Sequence, residues 1–325
     1  MNIFKKMGNR YRAVKACLNK LDIEKSDRFR VFWDIIYCRL FLKCRYEEYQ
    51  QYRFYKYKNR YRKNFILLSH KKRLYRKINP RRYTMHKKVF YKKIQRGIHR
   101  EVLYMPECGL DAFLTFVKKH QRVIVKPDVG SCGIGIQVFK YEDDNQAQMF
   151  FESFTDEMLC EEYICQHEKM NALNPNSVNS LRIVALCDEG KVEILSACVK
   201  SGGAADAIVD NMHNNGIGAD VDIETGIVTT FGHDYMGRTY SHHPVTGEQI
   251  IGFVIPYWKE TLELVRETHL DMAECPFVGW DVAITENGPE IIEANGAPGH
   301  KLMQYFSEEP KGQYLRAYIK RHKKG

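Results

Sequence analysis

The sequence predicts an α+β protein that consists of two α+β subdomains and a basic, helical N-terminal region. Residues 1–100 are strongly basic and contain apolar side chains at helical spacing. From about residue 100 onward, β-branched runs alternate with glycine-rich turns, which is typical of strands and hairpins. We expect the N-terminal region at 1–85, a smaller subdomain with a glycine-rich loop at 86–165, and a larger subdomain at 166–325.

The composition is that of a globular protein and excludes several other classes. Of 325 residues, 44% are hydrophobic and 28% are charged, which argues against collagen, a coiled coil or wholesale disorder. No apolar run reaches the roughly eighteen residues of a membrane span, and the N-terminus has no apolar signal-peptide segment. The ten cysteines contain no CxxC pair, which disfavours a disulfide scaffold or a zinc ribbon. We therefore expect a cytoplasmic protein.

Charge is distributed very unevenly along the chain. Residues 1–100 contain 31 Lys or Arg and 6 Asp or Glu, a formal charge of +25. The whole chain is at +10, so the remaining residues carry a formal charge of −15. A basic segment of this kind usually meets an anionic partner, and the chemistry is therefore expected in the acidic remainder.

The basic segment reads as helical, and three interpretations of it stay open. Val31, Ile35 and Cys38 fall near helical spacing, and aromatic side chains such as Trp33 and Phe41 lie among cations. The first interpretation is a helical domain with packed aromatics and solvated cations. The second is peripheral contact of residues 1–85 with an anionic membrane at its inner face. Nucleic-acid binding is the least favoured, because no zinc-finger or RNP-type motif is present.

A glycine-rich loop between two β-branched runs is a candidate phosphate site. Lys126 ends the first run, and Gly130, Gly133 and Gly135 follow it. Such a loop lets backbone N–H groups approach phosphate oxygens without a Cβ in the way. The order GxxGxG is not the dinucleotide fingerprint, and no GK[ST] of a P-loop follows. An ordinary hairpin with a loose loop remains the alternative.

Two further segments contain polar residues in strand-like surroundings. Residues 161–164 lie at a strand end, where backbone groups could meet an adenine edge and the later Glu168 could take the ribose hydroxyls; an ordinary acidic loop is the alternative. Arg182 and Lys200 lie within β-patterned runs, which is unusual unless they face a polar cleft.

The strongest pattern is PFVGWDVAITENGPEIIEANGAPG at residues 276–299. Glu293 and Asn295 are two residues apart and so share one face of a strand, and a hairpin would bring Asp281 opposite them. Two carboxylates and an amide oxygen suit Mg²⁺, and they would be costly to bury without a cation. The sequence therefore predicts a magnesium site here.

These motifs, taken in order, resemble the ATP-grasp superfamily. VIVKP, the glycine loop, EEYI, SLRIV, SACVK and WDVAI…IIEANGAPG follow one another as they do in that superfamily. More narrowly, the chain is similar to the sugar-transfer-associated ATP-grasp family, which is related to alpha-L-glutamate ligases and found with polysaccharide biosynthesis genes. The resemblance covers about residues 80–305 and implies an ATP-grasp fold, whose two subdomains clamp ATP.

The resemblance also implies roles for individual residues, with ATP and Mg²⁺ as cofactors. Nucleotide contacts would come from Lys88 (or its neighbour Lys87), Lys126, Gly130, Ser131, Gly133, Gly135, Glu161, Glu162, Tyr163, Ile164 and Glu168. Arg182 and Lys200 would neutralise the γ-phosphate and the developing acyl phosphate, and Asp281, Glu293 and Asn295 would hold Mg²⁺. In one departure, Ser180 stands where members often have Asp or Asn two residues before the arginine.

The implied activity is a carboxylate–amine ligase that forms an acyl phosphate, ADP and phosphate. Its substrates would be small-molecule carboxylates and amines, sugar-linked ones included, in surface polysaccharide biosynthesis. His300 is the one candidate general base, although a loop histidine without a catalytic role is the favoured interpretation. A phosphotransferase acting on a hydroxyl and a non-catalytic nucleotide-dependent binding module at the membrane stay open as alternatives.

Overall fold

The computed structural model describes residues 3–79, 86–130, 133–154, 157–208, 210–212, 215–272, 274–307 and 309–322. The chain divides into two compact units. The first consists of Met1–Pro80 together with Gly299–Gly325, and the second of Arg81–Pro298. No helix in the described ranges has the length and apolar character needed to cross a membrane.

Helices and strands alternate irregularly along the described residues, as an α+β fold requires. The helices are α1 (Ile3–Asn19), α2 (Arg28–Phe41), α3 (Tyr46–Gln51), α4 (Asn59–Arg62), α5 (Leu68–Ile78), α6 (Lys87–Lys93), α7 (Leu110–His120), α8 (Asp144–Glu152), α9 (Glu168–Asn171), α10 (Trp258–Leu270) and α11 (Gly312–Arg321). The strands are β1 (Val102–Tyr104), β2 (Arg122–Pro127), β3 (Gln137–Lys140), β4 (Met158–Glu162), β5 (Ser180–Asp188), β6 (Lys191–Ser201), β7 (Ile217–Asp220), β8 (Gly232–Asp234), β9 (Thr239–Tyr240), β10 (Phe277–Thr285) and β11 (Gly288–Asn295).

The first unit is helical, as the spacing of its apolar residues predicts. Helix α2 buries Val31, Ile35 and Cys38 on one face, and these side chains pack with buried aromatics from the segment that follows. Tyr52 and Phe65 stack with ring centroids 4.9 Å apart. Many aromatics of the basic segment are therefore core residues, as the packing interpretation predicts.

The C-terminal segment is part of the first unit, although the sequence-based division groups it with the larger subdomain. The side-chain amide of Gln304 donates to the Ile66 carbonyl (2.7 Å), and its oxygen accepts from the Ile66 N–H (3.1 Å). Helix α11 packs against α5, so the segment has its hydrogen-bonding and packing partners in the first eighty residues. Such contacts between distant parts of the chain leave no local signal in the sequence.

The second unit contains two antiparallel sheets. The four-stranded sheet has the order β1-β4-β2-β3, and its core includes residues of α7 and α8. The seven-stranded sheet has the order β11-β10-β5-β6-β7-β8-β9, and α10 packs against its first strands. The pairing of β2 with β3 and of β10 with β11 confirms the strand–loop–strand pattern around the glycine loop and the C-terminal hairpin.

Candidate active site

Three neighbouring strands of the seven-stranded sheet bring an arginine and two carboxylates together. Asp281 on β10 pairs in register with Arg182 on β5 and with Glu293 on β11. Directly opposite residues of an antiparallel pair project from the same face of the sheet, so the three side chains share one face. The Arg182 guanidinium donates to both Asp281 oxygens, at 2.6 and 2.7 Å. This bidentate arrangement fixes the Asp281 carboxylate.

Lys200 on β6 adds a second cation to this group. Its ammonium lies 3.3 Å from Asp281 Oδ1 and 3.5 Å from Asp210 Oδ1. Burial would raise the pKa of Asp281, but the charges of Arg182 and Lys200 outweigh burial and hold that pKa well below its ordinary value. Asp281 is therefore ionised, and Arg182 and Lys200 each have an acidic partner within the sheet.

Asp210 is a residue that the sequence reasoning missed. Its carboxylate accepts the Ser180 N–H (2.9 Å) and the Ser180 hydroxyl. Ser180 is the position at which the chain departs from the family pattern of an acidic or amide residue. The loop after β6 thus supplies a carboxylate beside Ser180 and Lys200, an arrangement that only the tertiary fold produces.

Glu293 and Asn295 form the other half of the predicted metal site. The Asn295 amide donates to Glu293 Oε1 at 3.0 Å. Burial, and then the negative charge of Asp281, raise the pKa of Glu293, and the charge of Lys126 only partly offsets them. Among the residues that the structure describes, Glu293 forms no ion pair like the one between Arg182 and Asp281. Two carboxylates and an amide oxygen fit a hard divalent cation such as Mg²⁺, which would supply the missing charge.

Lys126 belongs to a second polar cluster, in the four-stranded sheet. Its ammonium lies 2.6 Å from Glu161 on β4 and 3.1 Å from the Tyr91 hydroxyl. Arg100 lies 3.0 Å from the same glutamate. Burial would raise the pKa of Glu161, but the charges of Lys126 and Arg100 outweigh burial and lower that pKa to about 2. The contacts with Glu161 and Tyr91 thus hold the ammonium of Lys126, the predicted phosphate lysine, in place.

Arg100 connects this cluster to β11, the strand that bears Glu293. Its guanidinium donates to Glu290 (2.6 Å) and to the carbonyls of Ile291 (2.9 Å) and Ile292 (3.2 Å), which directly precede Glu293 on β11. The same group donates to the Tyr91 hydroxyl at 2.6 Å. The sequence reasoning did not single out Arg100, Tyr91 or Glu290, because a buried arginine is recognisable only from its partners in space.

The two adjacent lysines at the start of α6 have different surroundings. Lys87 donates to the Pro127 carbonyl at 3.0 Å, at the end of β2, and burial together with the nearby charge of Lys126 lowers its pKa. Lys88, the residue chosen from the sequence, pairs with Glu107 and lies 4.0 Å from the centroid of the Tyr104 ring. The structure therefore groups Lys87, rather than Lys88, with Lys126.

The glycine loop has backbone geometry that favours glycine. Gly133 and Gly135 have φ angles of +71° and +77°, in the left-handed region. A Cβ at Gly135 would lie 2.9 Å from the Pro127 side chain. Gly130 lies at the start of the loop, and Ser131 is outside the described residues.

The residues predicted to meet adenine and ribose have other partners in this structure. Glu162 accepts the Glu101 N–H at 3.2 Å, and the Tyr163 ring lies 3.6 Å from the Arg122 guanidinium carbon. Ile164 is half-buried in the loop after β4, and Glu168 is the exposed first residue of α9.

Seven of the predicted site residues thus form two clusters, and His300 lies in neither. One cluster contains Arg182, Lys200, Asp281, Glu293 and Asn295; the other contains Lys126 and Glu161. His300 belongs to the first unit, where its Nε2 is 3.3 Å from Glu48. The Glu48 carboxylate also accepts the Leu68 N–H at the start of α5. The contact of His300 is therefore part of the packing of the first unit.

The family profile described as sugar-transfer associated ATP-grasp matches residues 69–310. This range includes the glycine loop, both clusters and the hairpin of β10 and β11. The chain belongs to the sugar-transfer associated ATP-grasp family. The resemblance and the fold class predicted from the sequence are therefore confirmed for this ATP-grasp protein.

Solved structures of ATP-grasp ligases are similar at low sequence identity, whereas no curated protein matches the sequence. D-alanyl-alanine synthetase A from Vibrio cholerae is 13% identical, with a TM-score of 0.45 over 76% of this chain and 65% of that chain. The ATP-grasp ligase PsnB, complexed with a phosphomimetic variant of its minimal precursor, Mg and ADP, is 9% identical, with a TM-score of 0.43 over 74% and 62%. D-alanine–D-alanine ligase from Bacillus anthracis is 15% identical, with a TM-score of 0.41 over 73% and 68%. The chain described here thus covers less than two thirds of the length of the first two of these ligases.

Proposed function

We propose that this ATP-grasp protein is an ATP-dependent carboxylate–amine ligase that works through an acyl phosphate. The observation that supports this most is the convergence of Arg182, Lys200, Asp281 and Glu293 on one face of the seven-stranded sheet. Cations and oxygen ligands in one buried group suit the transfer of a phosphoryl group, because that reaction depends on positioning and charge neutralisation. Membership of the family supports the use of ATP and Mg²⁺.

In this proposal, Glu293 and Asn295 hold Mg²⁺ together with Asp281. The ion would neutralise phosphate oxygens when bound. Asp281 has both oxygens engaged by Arg182, so Glu293 and Asn295 are the freer donors. Lys126 and Lys87 would contact the phosphates, with Gly130, Gly133 and Gly135 above them. The backbone of residues 162–164 and the side chain of Glu168 stay the proposed adenine and ribose contacts.

The proposed reaction has two steps. A substrate carboxylate oxygen attacks the γ-phosphorus of ATP, the bond to the β-phosphate oxygen breaks, and ADP leaves. An amine then attacks the acyl carbon, phosphate leaves with the electron pair of the broken bond, and the amine proton passes to phosphate or solvent. Arg182 and Lys200 would stabilise the negative charge that develops on the transferred group, since each keeps N–H groups beyond those used by Asp281 and Asp210.

The test is a screen of carboxylate and amine pairs for ADP release, with mass spectrometry of the products. Hydroxylamine in place of the amine should yield a hydroxamate when the right carboxylate is present, because it intercepts an acyl phosphate. A phosphorylated hydroxyl compound without hydroxamate would favour the phosphotransferase. ATP binding without turnover across the screen would favour the non-catalytic binding module.

We further propose that the carboxylate substrate is sugar-linked and belongs to surface polysaccharide biosynthesis. The support is the family's own description as sugar-transfer associated. A screen that includes uronic acids and their nucleotide-linked forms tests this part separately. Turnover of free amino acids alone would remove the sugar part of the proposal and leave the ligase part intact.

We also propose that residues 1–85 contact an anionic membrane. Four apolar side chains of α2 are exposed, namely Phe29 (76%), Trp33 (56%), Leu40 (58%) and Phe41 (71%). Their spacings of four and seven residues put Phe29, Trp33 and Leu40 on one side of the helix, away from the buried Val31 and Ile35 face. Exposed apolar groups among cations suit an anionic bilayer surface.

A further inference from the structure

A cavity of about 500 Å³ in the first unit is lined mainly by basic side chains. His70, Arg73 and Lys77 of α5 form one wall, and Arg316 and Lys320 of α11 form another. Leu74 and Ile319 complete the lining, which includes no acidic residue among those that the structure describes. A volume of this size lies within the roughly 300–1,000 Å³ of ligand pockets.

The cations of this lining repel one another weakly, and a bound anion would relieve that repulsion. Arg73 and Lys77 are four residues apart on α5, as are Arg316 and Lys320 on α11. Like charges at this spacing destabilise a helix, and here two such pairs face one space. Burial, and then the charge of Arg316, lower the pKa of His70, so near neutral pH the four permanent charges are those of the arginines and lysines.

Arg316 is the least satisfied of these groups. It is half-buried, and its Nη2 is 3.5 Å from the Phe65 carbonyl, the limit of a hydrogen bond. Its Nη1 is buried without a hydrogen-bond partner among the residues that the structure describes. Nη1 lies against Gly312 and is closed to solvent, so a ligand in the cavity would meet the rest of the guanidinium, whose planar donors suit phosphate oxygens.

We propose that this cavity binds a phosphate-bearing group with two or more negative charges, such as a diphosphate. Four permanent cations match the charge of a diphosphate, and the volume exceeds what a single phosphate needs. The apolar Leu74 and Ile319 would contact the part of the ligand beyond the phosphates. The cavity lies in the first unit, whereas Lys126, Asp281 and Glu293 belong to the second, so this is a further site.

The phosphate group has two candidate sources, a soluble phosphate ester and a lipid headgroup. Both offer the same oxygens to Arg73, Lys77, Arg316 and Lys320, so the cavity chemistry is shared. The experiment therefore measures binding of the full chain to inorganic pyrophosphate and to vesicles in separate arms. Vesicles of phosphatidylcholine alone are compared with an equal mixture of phosphatidylcholine and phosphatidylglycerol.

The chain offers a closely matched pair of variants for this experiment. Arg73→Ala with Lys77→Ala removes two exposed cations that line the cavity. Lys72→Ala with Arg76→Ala removes two exposed cations from the same helix that do not line it. The net charge and the helix propensity change equally, so a difference between the two double variants reports on the cavity. Calorimetry is done without nucleotide and without Mg²⁺, because an ATP analogue would itself offer phosphates to the cavity and Mg²⁺ would chelate pyrophosphate. Binding at the proposed nucleotide site is then common to both variants and does not contribute to the difference between them.

We expect the cavity variant to lose affinity for pyrophosphate by about tenfold or more, since two charge-assisted contacts are removed. The control variant should stay within about twofold of the wild type. A matching loss of binding to the anionic vesicles by the cavity variant alone identifies a lipid headgroup, and unchanged vesicle binding identifies a soluble ester. Equal affinities of the two variants for pyrophosphate, or no binding by the wild type, would overturn the proposal.

Discussion

At the residue scale, two carboxylates that face each other across β10 and β11 have pKa values that are shifted in opposite directions. Asp281 has a lowered pKa because Arg182 and Lys200 outweigh its burial, whereas burial and the charge of Asp281 raise the pKa of Glu293. The cations thus stabilise the charge of Asp281 more than that of Glu293, whose pKa stays raised although Lys126 lowers it in part. A divalent cation held by Glu293 and Asn295 would add positive charge there.

Replacing Glu293 with Gln should reduce ADP formation to background while the fold is retained. The amide keeps the size of the side chain but removes the charge that would hold the cation against the phosphates. Coupled-assay detection of ADP and far-ultraviolet circular dichroism measure the two properties. Glu263→Gln, an exposed change on α10, is the control and should be as active as the wild type. Undiminished turnover by Glu293→Gln would remove the metal-site assignment.

Lys87→Ala and Lys88→Ala should behave differently although the two residues are adjacent. Lys87 points at the end of β2 near Lys126, so its loss should weaken binding of ATP roughly tenfold, as expected for one charge-assisted contact. Lys88 pairs with Glu107, so its loss should leave the affinity nearly unchanged. Titration with a fluorescent ATP analogue compares them. The reverse order of affinities would restore Lys88 as the phosphate lysine.

At the element scale, the two sheets of the second unit are joined by buried charged side chains. Arg100 lies 3.0 Å from Glu161 on β4 and donates to Glu290 on β11 at 2.6 Å, and all three are buried. Buried ion pairs persist when each partner is well hydrogen-bonded, and removing one partner leaves an uncompensated charge. The strand that bears Lys126 and the strand that bears Glu293 are thereby connected.

The stability of the protein should fall as the pH drops from about 4.5 to about 2. Glu161 has a pKa of about 2 in the fold against an ordinary value of 4.5. A carboxyl with a lowered pKa stabilises the fold above its ordinary pKa, and that contribution is lost as pH falls through the folded-state value. Glu161→Gln should lower the free energy of unfolding by about 3–5 kcal/mol at neutral pH. The difference from the wild type should become smaller as the pH falls through this window. Urea unfolding at several pH values measures the free energy of unfolding of the wild type and of the variant. A difference that stays constant with pH would contradict the assignment.

Helix α2 should insert its exposed face into anionic vesicles. Trp33 is 56% exposed, whereas Trp258 and Trp280 are 6% and 0% exposed, so a change in tryptophan emission reports on α2. A blue shift is expected with phosphatidylglycerol-containing vesicles at low salt, and it should weaken as salt screens charges beyond a Debye length of about 8 Å at physiological ionic strength. Leu40→Ser should reduce the effect, and Leu270→Ser, a change at an exposed leucine of the second unit, should not. An unchanged spectrum with the wild type would leave packing as the role of the basic region.

At the scale of the whole molecule, the division into units cuts across the order of the chain. The first unit takes its residues from both ends, Met1–Pro80 and Gly299–Gly325, and the second unit is the segment between them. The strongly basic part of the chain therefore shares a core with the C-terminal helix. Removal of the basic part would expose apolar side chains of α11 such as Leu315, which is fully buried.

Two truncated chains should differ in solubility for this reason. A chain of residues 81–325 retains α11 without its partner α5, so it should aggregate, whereas a chain of residues 81–298 omits both and should remain soluble. Analytical size exclusion of the two purified proteins distinguishes these outcomes. Equal solubility would indicate that the C-terminal segment folds independently of the first eighty residues.

The α+β class, the glycine loop and the C-terminal hairpin that bears Asp281, Glu293 and Asn295 could be predicted from the sequence alone. Each of these depends on local rules: the period of two along a strand, turn residues at fixed offsets, and the order of motifs along the chain. Glu293 and Asn295 could be grouped for that reason, because residues two apart share a face.

Which charged side chains contact one another depends on the tertiary structure. Asp210 beside Ser180, Arg100 between Glu161 and Glu290, and the choice of Lys87 over Lys88 depend on contacts between segments far apart in the chain. The same holds for the basic cavity, whose walls come from α5 and α11. Electrostatic interactions act through space and depend on burial, so a sequence shows the charged residues but not their partners.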